Sequence, residues 1–306
     1  MALLRISRRL YQDGRAVTRR RRPMHRAGEG DMRNSDGGWD ASLALRFARQ
    51  GLRTALVANR HHGPARVQRP FYPEGPECVH AYVLHPPGGY VGGDRQILDV
   101  HCERDAEALL TTPAATKFYK SLGPFVRQRM LFTLEAGARL EWLPMEAIVF
   151  HEARVQSTLR IDLGAGASFA GWDIVCLGRP ASHEPFVSGV FDQRFSVWRE
   201  GLPLWVEHAV YEGGSAVLRQ KYGLGGACVY ATFVCTKMGE FDAAALRAMC
   251  RDGPEPLSFS ENGDILVVRY LGESAQRARD ALTRAWHIVR RAHFGVGACE
   301  PRIWQT

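Results

Sequence analysis

The chain has 306 residues with 45% hydrophobic and 10% aromatic content, enough to bury the core of one large domain or two ordinary ones. No stretch approaches the roughly 18 uninterrupted apolar residues of a membrane span. The formal net charge of +8 does not describe the body, because residues 1–36 alone hold ten arginines against Asp13, Glu29, Asp31 and Asp36.

Residues 1–37 therefore read as a basic, disordered leader. It lacks the continuous apolar run of a secretory signal. A transit peptide, a nucleic-acid arm and upstream sequence translated from an early start codon share this composition. Residues 38–306 carry no low-complexity linker and no repeat of fixed period, and are expected to form a single β-rich domain.

From residue 39 the pattern alternates with period two: Leu43, Leu45 and Phe47, then Val79, Ala81 and Val83, then Leu159, Ile161 and Leu163. Leu204, Val206, His208 and Val210 continue it, as do Val229, Ala231, Phe233 and Cys235. Each run ends at turn residues such as Gly51, Gly137 or Asn262-Gly263, the pattern of many short strands. Two segments have helical spacing. Asp242 is placed to cap a helix over 243–251, where Leu246, Met249 and Cys250 share a face. A longer helix spans 274–293, with Ala275, Ala278, Leu282, Ala285, Val289 and Ala292 as one stripe, arginines opposite and Gly295 as the stop. Strands do not alternate with helices, which argues against a doubly wound nucleotide-binding sheet.

The seven cysteines are scattered, odd in number and without a CxxC pair. That fits neither a disulfide framework nor a zinc cluster, and places the protein in a reducing compartment, the cytoplasm. HPPGGYVGGD at 85–94 and TTPAATKFYKS at 111–121 prescribe backbone shape closely. A pair of tight turns and an anion cradle both fit the first, with Thr111, Thr112 and Lys117 as donors. There is no P-loop, HExxH or GxSxG pattern, so no catalytic constellation is legible. The histidines, His80 and His85 among them, fit satisfied structural residues as well as metal ligands. Asp94, Asp173, Glu184 and Glu207 stand isolated among apolar neighbours. Ion pairs with arginines such as Arg179 or Arg194 satisfy such acids; a hydrated passage for a cation is the other reading.

Six ordered blocks then point to a family. GPARVQRPFYPEG (63–75), HPPGGYVGGD (85–94), LLTTPAATKFYKS (109–121), LEWLPMEAIVF (140–150), WDIVCLGRP (172–180) and PRIWQT (301–306) resemble the urease accessory protein family UreD, also called UreH. Pro113 and Met145 stand where the family often has Gln, and Arg95 where some members carry an acid. The resemblance implies a mainly β fold: an elongated β-helical scaffold with about two α-helices in the C-terminal third. It also implies a non-enzymatic chaperone role in GTP-dependent nickel insertion into apo-urease, bridging a UreF-like protein and a UreG-like GTPase to urease. Nickel in transit is then the only metal expected, with no permanent cofactor. Asp94, Asp173, Glu184 and Glu207 match acidic positions of the family's motifs and are the expected waypoints of an interior nickel tunnel. No membrane or nucleic-acid partner is expected. An anion-binding enzyme built on residues 85–94 is the competing reading, and a nucleic-acid role would rest on the leader alone.

Overall fold

The computed structural model describes residues 33–237, 243–294 and 297–305, the side chains of residues 293 and 294 excepted. β1 (Asp40–Gln50) and β2 (Arg53–His62) form a hairpin, followed by β3 (Arg66–Val67) and β4 (Cys78–Leu84). The backbone then winds in coils. The first contains β5 (Arg95–Cys102), β6 (Glu107–Thr111) and β7 (Thr116–Phe118); the second contains β8 (Val126–Leu134), β9 (Arg139–Trp142) and β10 (Ala147–Val149). β11 (Arg154–Leu163) and the long β12 (Ser168–Arg179) make the third. After β13 (Glu184–Pro185) come β14 (Val190–Arg199), β15 (Leu202–Glu212), α1 (Ala216–Arg219) and β16 (Val229–Thr236). α2 (Ala244–Asp252), β17 (Leu257–Asn262), β18 (Ile265–Gly272) and α3 (Ala275–Phe294) complete the order.

Each coil adds one strand to each of two sheets. The first sheet runs β15-β14-β11-β8-β5-β1-β2, and the second β17-β18-β16-β12-β9-β6-β4-β3, with β7 and β10 on a short third face beside β12. The pairings between coils are parallel, for example β5 with β8 and β8 with β11. This is a β-solenoid, mainly β as expected. The first strands of successive coils begin at residues 95, 126, 154 and 190. No two coils have the same length, which is why no fixed period shows in the sequence.

Parallel stacking puts like positions in rows. Leu43, Leu98, Met130, Leu159 and Phe195 form one such row inside the first sheet. Rows like this fill the space between the sheets, where Phe132 meets Trp142 edge-on at 5.5 Å. Each fully buried Leu or Phe contributes about 1.5–3 kcal/mol.

The sheets differ in what covers them. The first faces water on its outside, so β5 alternates cleanly, Leu98, Val100 and Cys102 inward against Ile97, Asp99 and His101. The second carries α3 on its outer face, and all eight residues of β16 are buried. Val229, Ala231, Phe233 and Cys235 pack toward α3.

Three sequence expectations are revised. In β15, Val206 and Val210 are exposed, while Trp205, stacked edge-on at 4.8 Å against Phe195, takes the inner face with Glu207. Trp205 and, on the same face, Tyr211, which meets Tyr230 at 4.9 Å, together outweigh the two valines and set the register. α3 buries Trp286 and Arg290 as well as the expected small-residue stripe, and leaves Ala292 exposed. α2 is capped at Ala243 without a side-chain hydrogen bond; Asp242 and the expected stop Gly295 lie outside the described residues. Residues 33–37, read as the end of the leader, pack on the glycine loop: Asn34 Nδ2 donates to the Gly93 carbonyl at 3.0 Å, and Asp36 pairs with Arg95 at 2.7 Å. Residues 1–32 of the leader lie outside the described residues.

Candidate functional site

Interior rows of a solenoid are normally apolar, and one row here is not. In the first sheet, Gln96, Gln128, Ser157 and Gln193 occupy one inward register position on four successive strands. Buried amides must be hydrogen-bonded, and these are. Gln128 Nε2 donates to Gln96 Oε1 at 2.8 Å, and Ser157 Oγ donates to Gln128 Oε1 at 3.2 Å. Tyr90 closes one end by donating to Gln96 Oε1, and Tyr230 closes the other by donating to Gln193 Oε1 at 2.8 Å.

Asp173 faces this row from the second sheet. Its neighbour Trp172 points the other way, stacking on Trp304 at 5.7 Å, so alternation along β12 turns Asp173 inward. Its Oδ2 accepts Gln193 Nε2–H at 3.0 Å. Burial pushes its carboxyl up to about 7; the Gln193 bond opposes that and the nearby Glu207 charge adds to it. Asp173 borders two cavities. One, of about 160 Å³, is walled by His85, Tyr90, Gln96, Lys117, Gln128 and Met130 among others. The other, much smaller, is walled by Gln193, Glu207, Tyr230 and Thr232. Glu207 stands at the far side of the smaller cavity, where Arg269 Nη2 donates to its Oε2 at 2.8 Å and about a third of its side chain is exposed. Burial raises its carboxyl and Arg269 lowers it. In the larger cavity, burial holds the His85 imidazole below its usual value, against the pull of Asp94.

The four acids named from sequence thus separate. Asp173 and Glu207 share a cavity. Asp94 has both carboxylate oxygens engaged by backbone amides, Oδ1 by Trp39 N–H at 2.8 Å and Oδ2 by Val91 N–H at 2.9 Å. It anchors the point where Gly38 crosses Gly93 so closely that a Cβ on Gly38 would stand 2.2 Å from the Gly93 carbonyl carbon; only glycine fits there. Glu184 lies on the surface in an ion pair with Arg179 at 2.8 Å. Sequence reading missed Gln96, Gln128, Gln193, Tyr90 and Tyr230. Their signal is a polar side chain on the inward parity of an otherwise apolar strand, visible once strands are aligned.

The 85–94 loop spends its amides on itself and its neighbours. Gly88 N–H bonds the His85 carbonyl at 2.9 Å, Tyr90 N–H the Lys117 carbonyl at 2.7 Å, and Asp94 N–H the Val91 carbonyl at 3.0 Å. Thr111 Oγ donates to the Leu143 carbonyl at 2.6 Å, and Thr112 Oγ accepts Met145 N–H at 2.9 Å. An anion cradle needs its backbone amides free.

Comparison with known proteins agrees with the motif blocks. The family model described as UreD urease accessory protein matches residues 40–305. The chain belongs to that family. Among its relatives, a urease accessory protein UreD of Pseudomonas putida (strain W619) is 44% identical over 271 residues, 89% of this chain and 96% of that protein. The UreD of Dechloromonas aromatica (strain RCB) is 42% identical over 274 residues, 88% and 95% of the two chains. That of Trichormus variabilis is 38% identical over 274 residues, 88% and 97%. The protein is therefore a urease accessory protein with a part in urease maturation.

The family blocks now have a spatial meaning. Residues of HPPGGYVGGD, LLTTPAATKFYKS, LEWLPMEAIVF and WDIVCLGRP all line the 160 Å³ cavity. GPARVQRPFYPEG and PRIWQT meet elsewhere, where Phe71 and Tyr72 face Arg302 and Ile303. Among the described residues no helix is long and apolar enough to cross a membrane.

Proposed function

We propose that this UreD-family protein is a non-catalytic scaffold for GTP-dependent nickel insertion, bridging a UreF-like protein and a UreG-like GTPase to apo-urease in the cytoplasm. Nickel is the cargo, and it passes through the interior along the polar row. The observation that carries this reading is Asp173, whose carboxylate borders both cavities and closes a row of amides and phenols. Carboxylate, amide and water oxygens suit a cation in transit, because they hold it less tightly than a thiolate or several imidazoles would. His85 and Glu207 stand at the two sides of Asp173 as further waypoints. Asp94 contributes as the anchor of the loop that walls the larger cavity, and Glu184 stays outside the route. GTP hydrolysis belongs to the partner. The competing anion-binding reading needs free loop amides, and residues 88, 90 and 94 have theirs engaged.

The test is nickel content of urease matured in cells carrying Asp173→Ala or Glu207→Ala, alongside pull-down of the accessory complex. Reduced nickel with an intact complex supports the reading. Full nickel content in a strain lacking this protein overturns it.

A further inference from the structure

Beneath α3, on the face of the second sheet turned away from the polar row, three donors of different chemistry meet. Cys78 and His80 are two apart on β4, so both side chains face the helix side. Glu74, from the FYPEG turn, reaches the same place, and one ligand atom from each residue lies within 4.8 Å of the others. Glu74 Oε1 is 2.5 Å from His80 Nε2. His80 is fully buried, and its Nδ1 has no hydrogen-bond partner among the described residues. Cys78 is a free, buried thiol.

Packing alone accounts for a buried thiol. It does not account for a thiol, an imidazole and a carboxylate converging in one place, with one donor atom of each within 4.8 Å of the others. Charge points the same way. Arg290, fully buried, bonds Glu74 (Nη2 to Oε1, 2.8 Å) and Glu141 (Nε to both oxygens, 3.1 Å). One guanidinium does not neutralise two carboxylates. A divalent cation that displaces the thiol proton brings the whole cluster to zero net charge, as a proton on His80 beside Glu74 also does.

We propose that Glu74, Cys78 and His80 form a site for a resident divalent transition-metal cation of the zinc and nickel class. Sulfur, imidazole nitrogen and carboxylate oxygen are the donor set such borderline ions take. On binding, Cys78 loses one proton to solvent and its thiolate, the unprotonated nitrogen of neutral His80 and one Glu74 oxygen each donate an electron pair; nothing is oxidised or reduced. The Glu74–His80 hydrogen bond gives way to the ion, and Arg290 holds the carboxylate in place from behind, as outer-shell partners of metal ligands do. Arg290 also donates to the Gly297 carbonyl at 3.0 Å, so the site ties β4 and the FYPEG turn to α3 and the segment after it.

Cobalt(II) reports the site directly, because a thiolate ligand gives it a near-ultraviolet charge-transfer band. The full-length protein, stripped of metal and titrated anaerobically, is expected to develop that band at one equivalent. Zinc(II) and nickel(II) are expected to abolish it by competition. Cys78→Ser should remove the band, His80→Gln should weaken cobalt binding by at least about 10-fold, and Asp173→Asn should leave both unchanged. No band in the wild type, or a band that survives Cys78→Ser with native circular dichroism, overturns the proposal. None of these readouts involves urease, so this site and the interior nickel route stand or fall separately.

Discussion

Gln193 and Asp173 join the two sheets across the solenoid interior through a single 3.0 Å hydrogen bond, the amide of one donating to the carboxylate of the other. β14 and β12 do not pair with each other, so this bond is a side-chain rung rather than part of a ladder. It also fixes how Asp173 titrates. Its folded carboxyl sits near 7, raised chiefly by burial, whereas an unfolded aspartate titrates near roughly 3.9.

Stability should therefore depend on pH through this residue in a definite direction. Between about pH 4 and 7 the folded protein holds a proton here that the unfolded chain has lost. The contribution of Asp173 is fully present below about pH 4 and is lost as pH rises through 7, a change of about 2–4 kcal/mol. Asp173→Asn keeps an acceptor for Gln193 and cannot ionise. Thermal unfolding of both proteins at pH 5 and pH 8 should show the variant gaining on the wild type at the higher pH. An equal pH response in the two would mean that Asp173 is not buried as described.

The polar row predicts a second, separable effect. Gln128 is its central link, donating to Gln96 and accepting from Ser157. Gln128→Leu fills similar volume with apolar atoms and leaves the Ser157 hydroxyl without that acceptor, at a cost of about 1 kcal/mol. On the proposed route the protein should fold and bind its partners, yet deliver less nickel, because a hydrated cation would meet hydrocarbon at the middle of the row. Metal analysis of urease from such cells, beside a pull-down, checks it; unchanged nickel content would remove the row from the route.

How far the sequence leads is clear from particular strands. β5 alternates in plain view because water covers its outer face, and Leu43, Leu45 and Phe47 read inward for the same reason. β15 misleads, since its valines look like a buried face until Trp205 is seen against Phe195. The acids show a similar split. Isolation among apolar neighbours marked Asp173 and Glu207, which share a cavity, and equally marked Glu184, which pairs with an arginine five residues away. Nothing local distinguishes those cases. Gln96, Gln128 and Gln193 come from three coils of unequal length, and only the parallel register sets them in one row.

Asp94 offers a test of loop anchoring apart from nickel. Its two oxygens accept the Trp39 and Val91 amides, and Asp94→Ala strands both donors, at about 1–3 kcal/mol. Asp94→Asn keeps one acceptor oxygen and should recover part of that loss. Urea denaturation of the two variants should rank them alanine below asparagine below wild type. Equal stability of alanine and wild type would show that the carboxylate does not hold the loop.

Arg290 carries the last prediction. Its guanidinium is fully buried between Glu74 and Glu141, and Trp286 Nε1 donates to the same Glu141 at 2.8 Å. Replacing Arg290 by methionine preserves most of its length on the buried face of α3 but leaves two carboxylates without their cation. Breaking a buried pair from one side costs about 3–5 kcal/mol, far more than the pair itself stabilises. Arg290→Met combined with Glu74→Gln and Glu141→Gln removes charge from all three positions, and should regain much of the loss. Denaturant midpoints of the single and triple variants decide it: a triple variant no more stable than the single one would show that the helix is held by shape rather than by charge balance.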